Sequence, residues 1–120
     1  MTSHGFSQDQ WSRAKEEAKS ILIERSRDRG MIPYSELVSQ ISAITLEAYD
    51  IRLNNLLSEI SREEDEAGRG MLSVIVVHRQ GDMEPGRGFY ELAKSLGRDV
   101  SNETECWVKE LHRVHAQWSR

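Results

Sequence analysis

The chain has 120 residues, of which 38% are hydrophobic and 30% are charged, and its formal net charge is -4 at pH 7. This length and apolar content can bury one core, which predicts a single domain over residues 1–120 and excludes a disordered chain. The excess of acidic residues excludes a global electrostatic attraction to nucleic acid, and the single cysteine excludes an internal disulfide. No apolar run approaches the length of a membrane span. We therefore expect a cytoplasmic protein without a membrane partner.

The first predicted helix begins after Ser7. Ser7 and Gln10 have the spacing of a capping box, and apolar residues then recur on one helical face: Trp11, Ala14, Ala18, Ile21 and Leu22. Gly30 ends this pattern. Residues 31–34 are expected to be extended, because a residue that precedes proline is disfavoured in helices.

Two further helices are predicted before the acidic run at residues 63–66. Ser35 is expected to cap the second helix, which ends near Ala43 and buries Leu37, Val38, Ile41 and Ile44. The third helix is expected to start near Leu46 and to bury Tyr49, Leu53, Leu56, Leu57 and Ile60. Its opposite face carries polar residues: Arg52, Asn54, Asn55, Ser58 and Glu59.

The second half of the chain begins with a predicted strand. Residues 72–77 form a continuous apolar run rich in β-branched residues, which is typical of a buried strand. Residues 79–88 contain three glycines and one proline and predict a loop. A short helix is expected from Phe89 to Gly97. Ser101 or Asn102 is then expected to cap a last helix, whose apolar stripe is Trp107, Leu111, Val114 and Trp118.

The order of these elements predicts an α+β fold that is mostly helical. Helix, short strand, helix, helix, strand and loop follow one another as in a winged helix-turn-helix core, and two C-terminal helices are added. A helical bundle with one strand pair is also compatible with the sequence. In the winged-helix interpretation, the third helix is the recognition helix.

This interpretation predicts a nucleic-acid-binding surface. Arginine and asparagine side chains suit guanine and adenine, so the candidate contacts on the third helix and the loop are Arg52, Asn55, Ser58, Arg79 and Arg87. Gly86 and Gly88 beside Arg87 could also present an anion site at a helix start, although a tight turn into the next helix is the preferred explanation. Glu47, Asp50 and Glu59 count against DNA, because a surface that enters a groove is usually basic. A solvated helix face is the alternative.

The loop after the strand offers a catalytic alternative. His78, Asp82 and Glu84 could serve a small metal-assisted hydrolase or nuclease, although solvated turn residues are the simpler interpretation. No metal site is predicted at His112 and His115, because no third ligand lies near them in the sequence. Cys106 has no flanking base that would activate it.

Two resemblances add to this reading. Residues 69–78, 85–93 and 107–118 resemble a family of small bacterial proteins without an assigned function, which implies a bacterial or phage source and no activity. Residues 32–37 are similar to the segment that opens the helix-turn-helix in the DNA-binding domain of alkyltransferases and alkyltransferase-like proteins. Their reactive motif is missing, and His78-Arg79 follows the strand instead of preceding it. This second resemblance therefore implies the winged-helix topology and no alkyl transfer.

The sequence thus favours a non-enzymatic binding module, an accessory or regulatory protein that contacts DNA or a protein partner. Whether the chain is an enzyme stays open, with a non-enzymatic role preferred, and no cofactor is predicted. The stripes that contain Trp11, Trp107 and Trp118 are expected to be core, and they could also pair two copies of the chain.

Overall fold

A computed structural model describes residues 2–78 and 84–119. Within them the fold is mostly helical with two small strand pairs, as expected for a helix-rich α+β protein. The helices are α1 (Gln8–Arg27), α2 (Tyr34–Gln40), α3 (Ile51–Glu66), α4 (Arg87–Ser95) and α5 (Glu103–Trp118). The strands are β1 (Thr2–Ser3), β2 (Phe6–Ser7), β3 (Ile32–Pro33) and β4 (Val76–Val77).

Helix α1 starts as the sequence indicates. The Ser7 side chain accepts a hydrogen bond from the Gln10 backbone N–H, and the Gln10 side chain accepts one from the Ser7 N–H, which completes the capping box. These bonds satisfy two of the backbone donors that a helix start leaves free. The buried face of α1 consists of Trp11, Ala14, Ala18, Leu22 and Ser26.

The segment at residues 72–77 lies at the centre of the core, but most of it is not a strand. Leu72–Ile75 is a 3₁₀ turn, and only Val76–Val77 pairs with Ile32–Pro33, in parallel. The turn packs against α1, α3 and α5, so most of this buried backbone has no neighbouring strand. Two of its amides are satisfied without a strand: the Val74 N–H donates to the Met71 carbonyl oxygen, and the Ser73 N–H donates to Ser61 Oγ on α3. The prediction of burial is confirmed, and the prediction of a six-residue strand is wrong.

Helix α2 is shorter than predicted and has a different cap. It begins at Tyr34 with Pro33 at the cap position, so Ser35 lies in the first turn and makes no cap. It ends at Gln40 rather than near Ala43. The Glu17 carboxylate accepts hydrogen bonds from the backbone N–H groups of Ser42 and Ala43 (3.0 and 2.8 Å), which holds them away from a helical path.

Helix α3 begins five residues later than predicted. Asp50 caps it by accepting a hydrogen bond from the Arg52 N–H (2.9 Å). The irregular segment between α2 and α3 nevertheless buries Ile41, Ile44 and Leu46. Tyr49, which we predicted to be buried, points outward with 88% of its surface exposed, because the helix starts after it.

The last two helices follow the predicted pattern. Helix α4 buries Phe89, Tyr90, Leu92 and Ala93 and ends before Gly97. Asn102 caps α5 by accepting a hydrogen bond from the Glu105 N–H (3.0 Å). Of the predicted apolar stripe, Val114 is fully buried, and the other three members pack against the core from partly buried positions: Trp107, Leu111 and Trp118.

Candidate functional site

The start of α3 is an unusual surface. Tyr49 and Ile51 are 88% and 72% exposed, and they are the large hydrophobic side chains of the described residues that remain mostly outside the core. Asn54 is exposed one turn further along the helix. The surface therefore combines apolar and amide groups at a helix start.

Arg52 lies on this surface, but its guanidinium group is engaged. It donates hydrogen bonds to the Asp50 carboxylate at 2.8 to 3.2 Å, and its Nη1 atom lies 3.3 Å from the His4 carbonyl oxygen. The guanidinium carbon also lies 4.8 Å from the centre of the Phe6 ring. The hydrogen bonds from Arg52 lower the pKa of Asp50, so this carboxylate stays charged and paired.

The other two predicted contacts on α3 have different environments. Asn55 is half-buried, and its Nδ2 atom lies 3.4 Å from Nδ1 of His4. Ser58 is also half-buried and lines a small cavity between α3 and α4, together with Tyr34 and Phe89. Asn55 therefore lies under the N-terminal residues, and Ser58 faces the neighbouring helix.

The structure brings the start of α4 next to α3. A Cβ atom at Gly88 would lie 3.7 to 3.9 Å from the amide group of Asn54, so the two helices meet closely there. Arg87 precedes this contact and is 67% exposed. Its guanidinium pairs with Glu103 and lies 5.5 Å from the centre of the Tyr90 ring. We group the residues on and around this contact as the α3–α4 face: Tyr49, Ile51, Arg52, Asn54, Asn55 and Arg87.

The residues of the predicted catalytic loop are only partly described. Arg79 and Asp82 lie outside the described residues. His78 is exposed, and its ring centre lies 5.1 Å from that of Tyr34. Its backbone N–H donates to the carbonyl oxygen of Glu84 (2.9 Å), so the contact between these two residues is made by backbone atoms.

Tyr34 connects this loop to the helices. Its hydroxyl oxygen accepts a hydrogen bond from the Gly86 N–H (3.0 Å), and burial raises the pKa of the phenol. A Cβ atom at Gly86 would lie 3.1 Å from the Tyr34 oxygen and 3.4 Å from His78 Nε2. A glycine here therefore lets both rings approach the start of α4.

Across residues 2–78 and 84–119, no three histidine, cysteine, aspartate or glutamate side chains cluster as a metal site requires. His112 is exposed, whereas His115 is buried with Nε2 3.0 Å from the Gly30 carbonyl oxygen. Cys106 is buried, and this burial raises the pKa of its thiol, which lowers its reactivity as a nucleophile.

Ion pairs with this chain's own carboxylates engage much of its positive charge. In the part of the chain that the structure describes, nine basic side chains form them: Arg13, Lys15, Lys19, Arg25, Arg27, Arg52, Arg69, Arg87 and Arg98. The two arginines of the α3–α4 face are among these nine. The Arg87–Glu103 pair is the more exposed of the two, since Arg87 is 67% exposed, whereas the Arg52–Asp50 pair is half-buried. Exposed ion pairs contribute little to stability, so the Arg87 pair breaks more readily.

Sequence reasoning missed two features of this region. The N-terminal hairpin formed by β1 and β2 was not predicted, because His4-Gly5 is a weaker turn signal than Asn-Gly. The exposure of Tyr49 was missed because its spacing fits the apolar face of α3. The cap residue Asp50 was the signal that could have placed the helix start after Tyr49.

Comparisons with known proteins add no relative to this description. No family model, curated protein or solved structure matches the chain. Of the described helices, none has the length and apolar content that crossing a membrane requires.

Proposed function

We propose that this chain is a non-enzymatic DNA-binding module with a winged-helix-like core, which contacts DNA through the α3–α4 face. One observation carries the proposal: the start of α3, with Arg52, Asn54 and Asn55, lies beside the start of α4, with Arg87. These side chains are the hydrogen-bonding types that contact base edges and phosphates.

The order of elements supports this proposal. Helix α1, strand β3, helices α2 and α3 and strand β4 follow one another as in a winged helix-turn-helix. In that arrangement the second helix of the motif offers its N-terminal residues to the major groove. Exposed apolar groups at the same position, such as Tyr49 and Ile51, can contact thymine methyl groups and sugars.

The internal ion pairs are compatible with weak, salt-sensitive binding. Arg87 is 67% exposed in its pair with Glu103, so a phosphate can replace that carboxylate at modest cost. The Arg52–Asp50 pair is half-buried, so opening it costs more. The net charge of -4 adds no long-range attraction. We therefore expect non-specific duplex to bind in the micromolar range or weaker, at about 10⁻⁶ to 10⁻⁴ M.

Fluorescence anisotropy with a random-sequence duplex tests the proposal. We expect wild-type binding to weaken between about 50 and about 150 mM salt, and the Arg52→Ala, Arg87→Ala double variant to bind about tenfold more weakly with a log–log salt slope shallower by about two. The matched control is Arg27→Ala with Arg113→Ala, which removes the same charge away from the α3–α4 face. Equal losses in the two double variants would contradict the proposed face.

A protein partner is the second candidate, and two observations favour it. Tyr49 and Ile51 are exposed together, and tyrosine is a frequent anchor at protein interfaces. The pairing of so many basic side chains also leaves little free positive charge for DNA. The same titration separates the candidates, because a protein-binding surface predicts no salt-sensitive DNA binding by the wild type.

The hydrolase alternative stays a prediction. His78 lies beside Tyr34 and Gly86 at the end of β4, whereas Asp82 lies outside the described residues. Metal-dependent turnover that His78→Ala abolishes would support it.

A further inference from the structure

The N-terminal residues fold back as a two-stranded hairpin. Thr2 pairs with Ser7 and Ser3 with Phe6, in antiparallel orientation. The two turn residues both have positive φ angles, 55° at His4 and 87° at Gly5, as required for the tight turn that suits a two-residue hairpin loop. The turn is therefore a defined conformation with a glycine at the position that needs one.

This hairpin contacts the polar side chains of α3. The His4 carbonyl oxygen lies 3.3 Å from Nη1 of Arg52, and the Phe6 ring lies beneath the Arg52 guanidinium at 4.8 Å. Nδ1 of His4 lies 3.4 Å from Nδ2 of Asn55. Two residues of the α3–α4 face are thus engaged by one turn of the hairpin.

Trp11 provides the surface on which the hairpin rests. The His4 ring centre lies 4.3 Å and the Phe6 ring centre 6.4 Å from the Trp11 ring. The Trp11 indole N–H donates to the Glu59 carboxylate (3.0 Å), and His4 Nε2 lies 3.8 Å from the same carboxylate. The hairpin has a fixed docking position, which makes its contact with α3 specific.

The hairpin is also weakly held. Each strand has two residues, and an isolated two-stranded hairpin is at best marginally stable in water. Its polar contacts to α3 are long, at 3.3, 3.4 and 3.8 Å, and lie at or near the surface. A ligand that binds Arg52 and Asn55 more strongly would displace it.

We propose that residues 2–7 act as an autoinhibitory strap, which competes with DNA for Arg52 and Asn55. This inference rests on the proposed DNA-binding function and adds its regulation. Apparent affinity falls when part of the population has its binding surface covered, so opening the strap strengthens binding.

Two variants of the full chain open the strap by different means. Gly5→Val puts a side chain at a backbone angle that only glycine adopts readily, and His4→Ala removes the ring that lies on Trp11 and beside Asn55. Gly97→Val is the matched control: Gly97 also has a positive φ angle (90°) and open space around it, but it lies after α4, away from the strap.

Anisotropy with the random-sequence duplex gives the first readout. We expect both strap variants to bind about three- to tenfold more tightly than the wild type, and Gly97→Val to bind like the wild type. If all four proteins bind equally, the strap is overturned and the DNA-binding function stands. If none binds, the DNA-binding function is itself overturned and the strap falls with it.

The Trp11 indole resonance gives a second readout that does not depend on affinity. Removing the His4 ring shifts this resonance, so His4→Ala without DNA supplies the signature of an open strap. We expect DNA to move the wild-type resonance toward that position. DNA binding with an unmoved Trp11 resonance would contradict displacement.

Discussion

At the scale of single residues, Glu110 joins parts of the chain that are distant in sequence. This buried carboxylate on α5 accepts hydrogen bonds from the Met71 N–H (2.8 Å) and from the Arg98 guanidinium (3.1 Å). The entry to the central 3₁₀ turn and the segment between α4 and α5 are thereby fixed to one helix. Arg98 also pairs with Asp65 at the end of α3.

Replacing Glu110 with alanine is therefore expected to destabilise the fold. The buried Met71 N–H would lose its acceptor, which costs about 1–3 kcal/mol, while Arg98 would keep Asp65 as its partner. Urea unfolding followed by circular dichroism measures the loss. Gln117→Ala, at an exposed position of the same helix, should change the free energy of unfolding by less than about 0.5 kcal/mol. Similar losses in both variants would argue against a specific role for Glu110.

At the scale of elements, the end of α2 depends on a side chain of α1. The Glu17 carboxylate accepts hydrogen bonds from the Ser42 hydroxyl and from the backbone N–H groups of Ser42 and Ala43, and these hydrogen bonds lower the pKa of Glu17. A carboxylate in this position acts on the loop as a capping residue acts on a helix, by satisfying backbone donors that the helix no longer uses.

Glu17→Ala is expected to loosen this loop while leaving the core folded. The N–H groups of Ser42 and Ala43 would lose their acceptor, so their amide hydrogens should exchange faster, with little change in the core amides of α3. Hydrogen exchange resolved by residue is the measurement. Glu16→Ala is the natural control, since Glu16 is the exposed neighbour on the same helix. Unchanged exchange at Ser42 in the Glu17 variant would show that other contacts hold the loop.

The helices and the central segment also show which parts of the fold can be predicted from sequence patterns. The start of α1 could be read from Ser7 and Gln10 because a capping box is local. The start of α3 could not, because Ile44 and Leu46 bury their side chains from irregular backbone at a spacing that resembles a helix. The run at residues 72–77 predicts a strand because it is apolar and β-branched, a composition that indicates burial. Whether a buried segment forms a strand or a turn depends on the elements that pack against it. Here those elements are mostly helices.

The candidate site, like the fold, was predictable from the sequence only where it depends on local spacing. The sequence identified Arg52 and Asn55 as polar residues on one side of α3, since that depends on helical spacing alone. It could not indicate that His4 and Phe6 cover them, because this contact joins residues about fifty positions apart. The approach of Arg87 to the same face likewise depends on the packing of α4.

At the scale of the whole molecule, ion pairs at the end of α3 tie stability to pH. Glu64 is buried between Arg69 and Lys19, and hydrogen bonds from Arg69 lower its pKa below 4.5. Hydrogen bonding from Arg98 likewise lowers the pKa of Asp65 below 3.8. In the unfolded chain both groups take up protons at higher pH than in the folded protein, so acid favours unfolding.

We therefore expect stability to be constant near neutral pH and to fall as the pH drops below about 5, through the lowered pKa values. Urea midpoints measured at several pH values would trace this loss. Glu64→Gln should flatten the dependence, whereas Glu66→Gln, at an exposed position of the same acidic run, should leave it unchanged. A Glu64→Gln curve parallel to the wild type would assign the acid sensitivity to other groups.

The central position of residues 72–77 also affects how the chain folds while it is being synthesised on the ribosome. This apolar segment packs against α1, which precedes it, and against α5, which follows it. Until α5 has left the exit tunnel, it cannot pack against residues 72–77. The nascent chain therefore exposes this apolar segment, which is rich in β-branched residues. Folding is thus expected to be completed as a single event after α5 emerges. Nascent chains that stall before α5 would then be substrates for chaperones.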